Sequence, residues 1–392
     1  MHTHDQLSGM GGTTVRRPDR AEACVGGAVA RIGDARQTVA MRRSATLLLA
    51  LLLVAACSPA ASPSPTVSTG APSIVSTPSP STAESAGPTS PAAVTLDIRE
   101  FDVPSGSHPH DVAPAADGGV WYTGQHVGTL GHLDPATGTV REIPLGAGSA
   151  PHGVIVGPDG AAWITDGGLN AIVRVDPVTE KVTTFELPAD RPGANLNTAA
   201  FDGDGTLWFT GQTGVYGRLD PETGAMDVFD DPEGRGPYGI TGTPAGDIWY
   251  ASLAGSHIAR VDRASGEATV VEPPTAGQGA RRVWSDSKGR IWVAEWDAGQ
   301  VGVHDPSTDA WQEWPLPGDG PQAYAVYVDD RDIVWLTDFG ANAIVRFDPT
   351  TERFDTSRWP SDEAAVRQLL GRPGEVWGAA SGVDKLVLVT ER

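Results

Sequence analysis

Beyond residue 93 the chain alternates apolar and polar residues in short runs, each too brief for a helix and broken by glycine or proline. Val120-Trp121-Tyr122 and Ile291-Trp292-Val293 are typical of these runs, which predict strands. The pattern repeats. Trp121, Trp163, Trp208, Trp249, Trp292, Trp335 and Trp377 are separated by 42, 45, 41, 43, 43 and 42 residues. Three residues before each stands a glycine (Gly118, Gly160, Gly205, Gly246, Gly289 and Gly374), with Asp332 the exception. Such a position marks a tight hairpin that needs a positive φ.

A second hairpin follows in six of the units, at Asp134-Pro135, Asp176-Pro177, Asp220-Pro221, Asp262-Arg263, Asp305-Pro306 and Asp348-Pro349. A further strand comes after it, such as Val182 to Leu187. Four short strands in a unit of this length make a propeller blade. The seventh unit stops at Arg392, after its third strand. Residues 94–103 read as a lone fourth strand ahead of the first blade, and would complete blade seven and close the ring. The expectation is an all-β, seven-bladed propeller over 94–392. The repeating tryptophans are inter-blade core on this reading, and the Asp-Pro pairs are turn chemistry. No Trp-Asp pair closes a third strand, so the WD40 signature is absent.

The 93 residues before the propeller have a different character. Residues 41–56 place two arginines before an apolar run that ends in small residues, a signal peptide too short for a comfortable span. Val54-Ala55-Ala56-Cys57 resembles a bacterial lipobox, which implies lipidation of Cys57 and cleavage before it. Residues 1–40 lie upstream of that complete signal and read as an over-extended start, which removes Cys24 from the mature chain. Of the 36 residues 58–93, 32 are Ser, Thr, Pro, Ala or Gly, so 57–93 reads as a lipidated cysteine and its tether. The expected location is outside the cytoplasmic membrane, held by a lipid anchor.

Charge narrows the partners. The chain carries 49 acids against 28 bases, a net of -21. Nucleic acid is excluded as a partner, and membrane contact is expected through the anchor only. Two cysteines make no disulfide framework or zinc ribbon. A small molecule or a peptide is the expected ligand, and the oligomeric state is left open.

The spacing also locates a site. Eleven residues before each tryptophan a residue opens the innermost strand: His110, His152, Asn197, Tyr238, Arg281, Tyr324 and Val366. Three residues after it another ends the second strand: Gly124, Asp166, Gly211, Ser252, Glu295, Asp338 and Ala380. Both ends of that hairpin are expected at one mouth of the central channel, where polar groups converge.

The repeat reads Pro-His-Gly-Val-x-x-x-Pro-Asp-Gly-x-x-Trp-x-Thr, then Asn-x-Ile-x-Arg-x-Asp-Pro-x-Thr-Gly, with best copies at Pro151 to Thr165, Asn170 to Asp176 and Asn342 to Asp348. This resembles the streptogramin (virginiamycin) B lyase-like propellers across 94–392. The resemblance implies an elimination that opens a cyclic depsipeptide. A histidine takes the proton α to a carbonyl, and a divalent metal, magnesium, held by acids steadies the charge.

The family's pattern is Glu-x-His opening a late blade, an acid three after its tryptophan, and another histidine one blade earlier. The matching residues here are Ala364, Val366, Ala380 and Tyr324, and none can serve in those roles. A displaced constellation offers His110 and His152 as catalytic residues. Asp166, His108, His126, Glu295 and Asp338 are its candidate metal ligands, and Arg281, Tyr238, Tyr324 and Asn197 its substrate-binding groups. Ala150 stands where the acid two before His152 would be. A metal-assisted lyase acting on a small cyclic ester leads. A non-catalytic propeller binding a peptide, glycan or protein, and a lactone hydrolase, are the alternatives.

Overall fold

The computed structural model describes residues 94–392; the expected start, signal, Cys57 and tether lie outside the described residues. Seven antiparallel sheets of four strands account for every strand among the described residues. Blade one is β2 (Pro109–Pro114), β3 (Val120–Gly124), β4 (Thr129–Asp134) and β5 (Thr139–Pro144), from the channel outward. Blades two to six repeat that order. Blade seven is β26 (Val366–Arg372), β27 (Glu375–Ala380) and β28 (Lys385–Glu391), with β1 (Leu96–Asp102) as its outer strand.

The closing strand is well tied. It pairs along its whole length with β28, from Leu96 opposite Glu391 to Asp102 opposite Lys385. Glu100 accepts from Lys385 Nζ at 2.6 Å and from Ser361. Phe101 packs on Trp377 with ring centroids 5.4 Å apart. This closure leaves no open sheet edge between the first and last blades.

All seven first hairpins carry a residue at positive φ three before the tryptophan, including Asp332 at 59°. The tryptophans are at most 3 % exposed and fill the spaces between blades. A buried indole N–H needs an acceptor. The turn supplies it: Trp208, Trp292 and Trp335 donate to Asp202, Asp286 and Asp329 at 2.9, 3.0 and 3.1 Å. The turn aspartate thus caps its own hairpin and satisfies the indole. In the second hairpins Asp134, Asp176, Asp220 and Asp262 accept from the backbone two residues on, as turn chemistry predicts.

One irregularity positions the site. In every innermost strand the register with the second strand shifts by a residue near its start, and in blades two and five the shift falls on the opening residue itself, His152 and Arg281. Such a bulge breaks the simple in-out alternation and re-aims neighbouring side chains. The threonine of Trp-x-Thr stitches it in place. Thr123 Oγ1 accepts from Asp111 N at 3.0 Å and donates to His152 O of the next blade at 2.8 Å. Thr165 does the same between Gly153 N and Asn197 O.

Candidate active site

Because of the bulge, two consecutive residues of an innermost strand take part in the channel cluster. The opening tier holds His110, His152, Asn197, Tyr238, Arg281 and Tyr324. The tier one residue on holds Asp111, Thr198 and Arg282, with Gly153 and Gly239 giving room. A Cβ on Gly239 would lie 2.6 Å from the backbone of Arg282.

Blade seven differs from the expectation. Val366 pairs with Ala380, whereas in blade one the paired residue is Pro109, one position earlier relative to the tryptophan. The first hairpin of blade seven is one residue shorter. Equal spacing therefore misplaces the opening residue, and the site residue is Arg367, with Gln368 behind it. Gln368 Oε1 accepts from Val112 N at 3.0 Å, joining blades seven and one. Val366 instead enters the apolar cluster with Ala364, Ala380 and Tyr324.

The centre is a charged pair across the channel. Arg282 donates to Asp111 Oδ1 at 3.1 Å and to Thr198 Oγ1 at 2.7 Å. Asp111 Oδ1 also bonds His110 Nδ1 at 2.8 Å. An ion-paired carboxylate only accepts, so Nδ1 carries the hydrogen, and Nε2 keeps its lone pair. His110 Nε2 has no partner among the described residues. Burial holds His110 well below the ordinary histidine range, and the Arg367, Arg282 and Arg281 charges add to this. It is a neutral base.

His152 is differently placed. Its ring lies 3.6 Å from that of His110, but Nδ1 donates to Asn197 O at 3.0 Å, and Asn197 Nδ2 lies 3.2 Å from Nε2. Both nitrogens are engaged. Burial, then His110, lowers its pKa well below the ordinary value.

Tyr238 and Tyr324 hydroxyls are 2.8 Å apart, and Arg281 Nη2 donates to Tyr238 Oη at 2.9 Å. The Arg281 guanidinium lies 3.8 Å from the centre of the Tyr324 ring. Burial opposes ionisation of Tyr324, but Arg281, Arg282 and Arg367 outweigh it and pull its hydroxyl down to about 8.

The expected metal ligands do not converge. Asp166 accepts from Ala150, Gly168 and Leu169 N–H groups at 2.9 to 3.0 Å, and Asp338 from Gln322 and Gly340 N–H at 2.9 Å. Both carboxylates bracket loops, because a buried second-strand end leaves backbone donors to satisfy. Glu295 is buried against Gln300 over Gly302, with Oε1 lacking a partner. Burial pushes it up to about 8. His108 and His126 stack on each other, centroids 4.0 Å apart, at the partly exposed rim.

The donor group that the structure does bring together is His110, Asp111 and His152, whose ligand atoms lie within 4.8 Å of one another and could hold a metal ion. Two imidazoles and one carboxylate suit a borderline ion such as zinc. Magnesium asks for an octahedron of oxygens, which this set does not offer. Asp111 is moreover taken by Arg282 and His110. Asp111, Arg282 and Arg367 are the functional residues that spacing alone misses. The adjacent pairs His110-Asp111 and Arg281-Arg282 are their one sequence signal, since strict alternation would send one member of each away from the site.

The fold has close counterparts among solved structures. A streptogramin B lyase structure is 22% identical, with a TM-score of 0.70 over 76% of this chain and 98% of that one. The selenomethionine-substituted virginiamycin B lyase from Staphylococcus aureus is 20% identical, with a TM-score of 0.69 over 76% and 99%. A catalytically inactive variant of that lyase with quinupristin aligns equally well, at 20% identity and a TM-score of 0.69 over 76% and 99%. Comparison with curated proteins finds no match. Residues 97–387 match the virginiamycin B lyase family along most of the chain, and the protein belongs to that family.

Proposed function

We propose that this propeller is an extracytoplasmic, lipid-anchored lyase that opens a small cyclic ester by β-elimination at the channel mouth. The observation that carries the reading is His110: one ring nitrogen is fixed on Asp111, Asp111 is fixed on Arg282, and the other nitrogen is free. A base so oriented and kept neutral is competent at neutral pH.

In the proposed step His110 Nε2 takes the proton from the carbon α to a carbonyl. The α–β double bond forms, the Cβ–O bond breaks, and the oxygen leaves with its electron pair as a carboxylate. Product and substrate have equal mass. Negative charge that develops on the carbonyl faces Arg281, Arg367 and Tyr324, which supply fixed positive charge and a hydroxyl. No step is assigned to a metal, because a metal on Asp111 would have to displace Arg282.

The test is mass spectrometry of a streptogramin B depsipeptide incubated with the full chain. A ring-opened product of unchanged mass, absent with His110→Ala, supports elimination. A product heavier by one water supports lactone hydrolysis instead. Untouched depsipeptide and untouched simpler cyclic esters would favour the second reading, a non-catalytic binding propeller. In the register of blade seven, Ala365, Arg367 and Ala380 stand at the family's catalytic positions, and the absence of an acid or histidine there favours that second reading.

A further inference from the structure

We propose that the channel mouth recognises a small carboxylate with an apolar body, gripped by Arg281 and Arg367. The proposal rests on the reading of this mouth as the substrate site and names the chemical class of the group it grips, the carboxylate that the ring-opened product carries.

Charge balance carries the argument. Arginines elsewhere on the blades meet acids: Arg174 on Asp159, Arg218 on Asp227 and Arg290 on Asp286, at 2.7 to 2.8 Å. In the channel Arg282 is balanced by Asp111. Arg281 and Arg367 have no acidic partner among the described residues. Arg281 bonds a tyrosine hydroxyl, and its Nε is buried with no partner. Arg367 Nε donates to Ser381 Oγ at 2.7 Å, and Nη1 lies 3.5 Å from Tyr324 Oη.

Two uncompensated guanidinium charges thus sit in a largely buried cluster, in a chain of net charge -21. Burying charge without a counter-charge is costly, and an anion would offset it. The guanidinium fork matches a carboxylate.

The walls indicate the rest of the ligand. Phe339 stacks on Tyr324 at 4.6 Å, and Trp296 meets both edge-on at 5.7 and 5.5 Å. Trp296 and Phe339 are partly exposed, and Arg281 lies over Trp296 at 4.9 Å. An aryl or branched alkyl group next to the carboxylate suits this surface. The depressed hydroxyl of Tyr324 reports the same positive potential and provides an optical readout.

The probe is phenylacetate, with neutral phenylacetamide and inorganic phosphate as comparators, titrated calorimetrically into the full chain. Phenylacetate is expected to bind at least about tenfold more tightly than the amide, and Arg367→Gln to weaken it by about tenfold, as for loss of one charge-assisted contact. The phenolate absorbance midpoint of Tyr324 is expected to rise on binding, and to vanish in Tyr324→Phe. Arg367 is partly exposed, and thermal unfolding with rescue by Arg367→Lys separates lost binding from a lost fold. Equal binding of acid and amide, no binding, tighter binding of phosphate, or indifference to Arg367→Gln would each overturn the proposal. Phenylacetate bound by the unmodified chain while no cyclic ester is eliminated would count against the lyase reading alone.

Discussion

Arg282 of blade five reaches Asp111 of blade one across the propeller axis, 171 residues away, and closes on it at 3.1 Å. The pair is nearly sealed from solvent, with side chains 5% and 1% exposed. It ties two blades that share no edge and fixes the carboxylate on which His110 Nδ1 rests. Orientation of the imidazole is therefore set from the far side of the ring.

Removing one partner of that pair leaves a buried charge alone. Arg282→Gln is expected to destabilise the domain by about 3–5 kcal/mol. The double variant Arg282→Gln, Asp111→Asn should recover much of the loss. Urea unfolding of the single and double variants measures both. A double variant no more stable than Arg282→Gln would refute the charge-pair account.

The two histidines should separate in activity. His110→Ala is expected to lower the elimination rate by ~10²–10⁴-fold, the usual worth of a general base. His152→Ala should cost far less, because both of its nitrogens are engaged. The pH profile has a definite sign: a base whose pKa is depressed stays neutral on acidification. The rate should therefore hold its plateau below pH 6.5 and fall only in stronger acid. A fall centred on 6.5 would contradict the buried-base assignment.

Glu295 makes stability depend on pH in the opposite sense from an ion-paired carboxylate. Folded, it holds its proton up to about 8, whereas unfolded it releases it near 4.5. Between those values the unfolded state binds fewer protons, so stability falls as pH rises. Glu295→Gln should flatten that slope and stabilise the protein at pH 8 by about 1–3 kcal/mol, an amount reduced from the full shift for residual solvation. Thermal melts of both proteins at pH 5 and 8 provide the comparison.

Ring closure depends on β1. Phe101→Ala removes a ring packed on Trp377 and should cost about 3 kcal/mol. Deleting residues 94–103 should do more, since β28 then presents an unpaired edge that favours aggregation. Light scattering on heating distinguishes the two variants. A deletion variant as soluble and as stable as the intact chain would show that the closing strand is dispensable.

Much of the architecture is legible in the amino-acid order. A tryptophan and a turn residue recurring at nearly constant spacing set seven blades, because each hairpin must turn at a positive φ and each blade must bury an indole. Asp332 shows the rule is about backbone conformation rather than glycine, since it adopts the same φ. The missing fourth strand of the last unit, with a spare strand at residues 94–103, dictates closure. His110, His152, Asn197, Tyr238, Arg281 and Tyr324 are all placed by counting from the tryptophan.

Counting fails where the local register changes. The bulge in each innermost strand brings Asp111 and Arg282 into the cluster beside residues that alternation would set apart from them, and a one-residue-shorter hairpin puts Arg367 where Val366 is expected. Asp166 and Asp338 resemble metal ligands in sequence, but the loops around them claim their oxygens. Local periodicity reports turns, strands and core, since these depend on neighbours along the chain. Which charge meets which across the channel depends on residues as far apart as Asp111 and Arg282, and only the closed ring brings them to hydrogen-bonding distance.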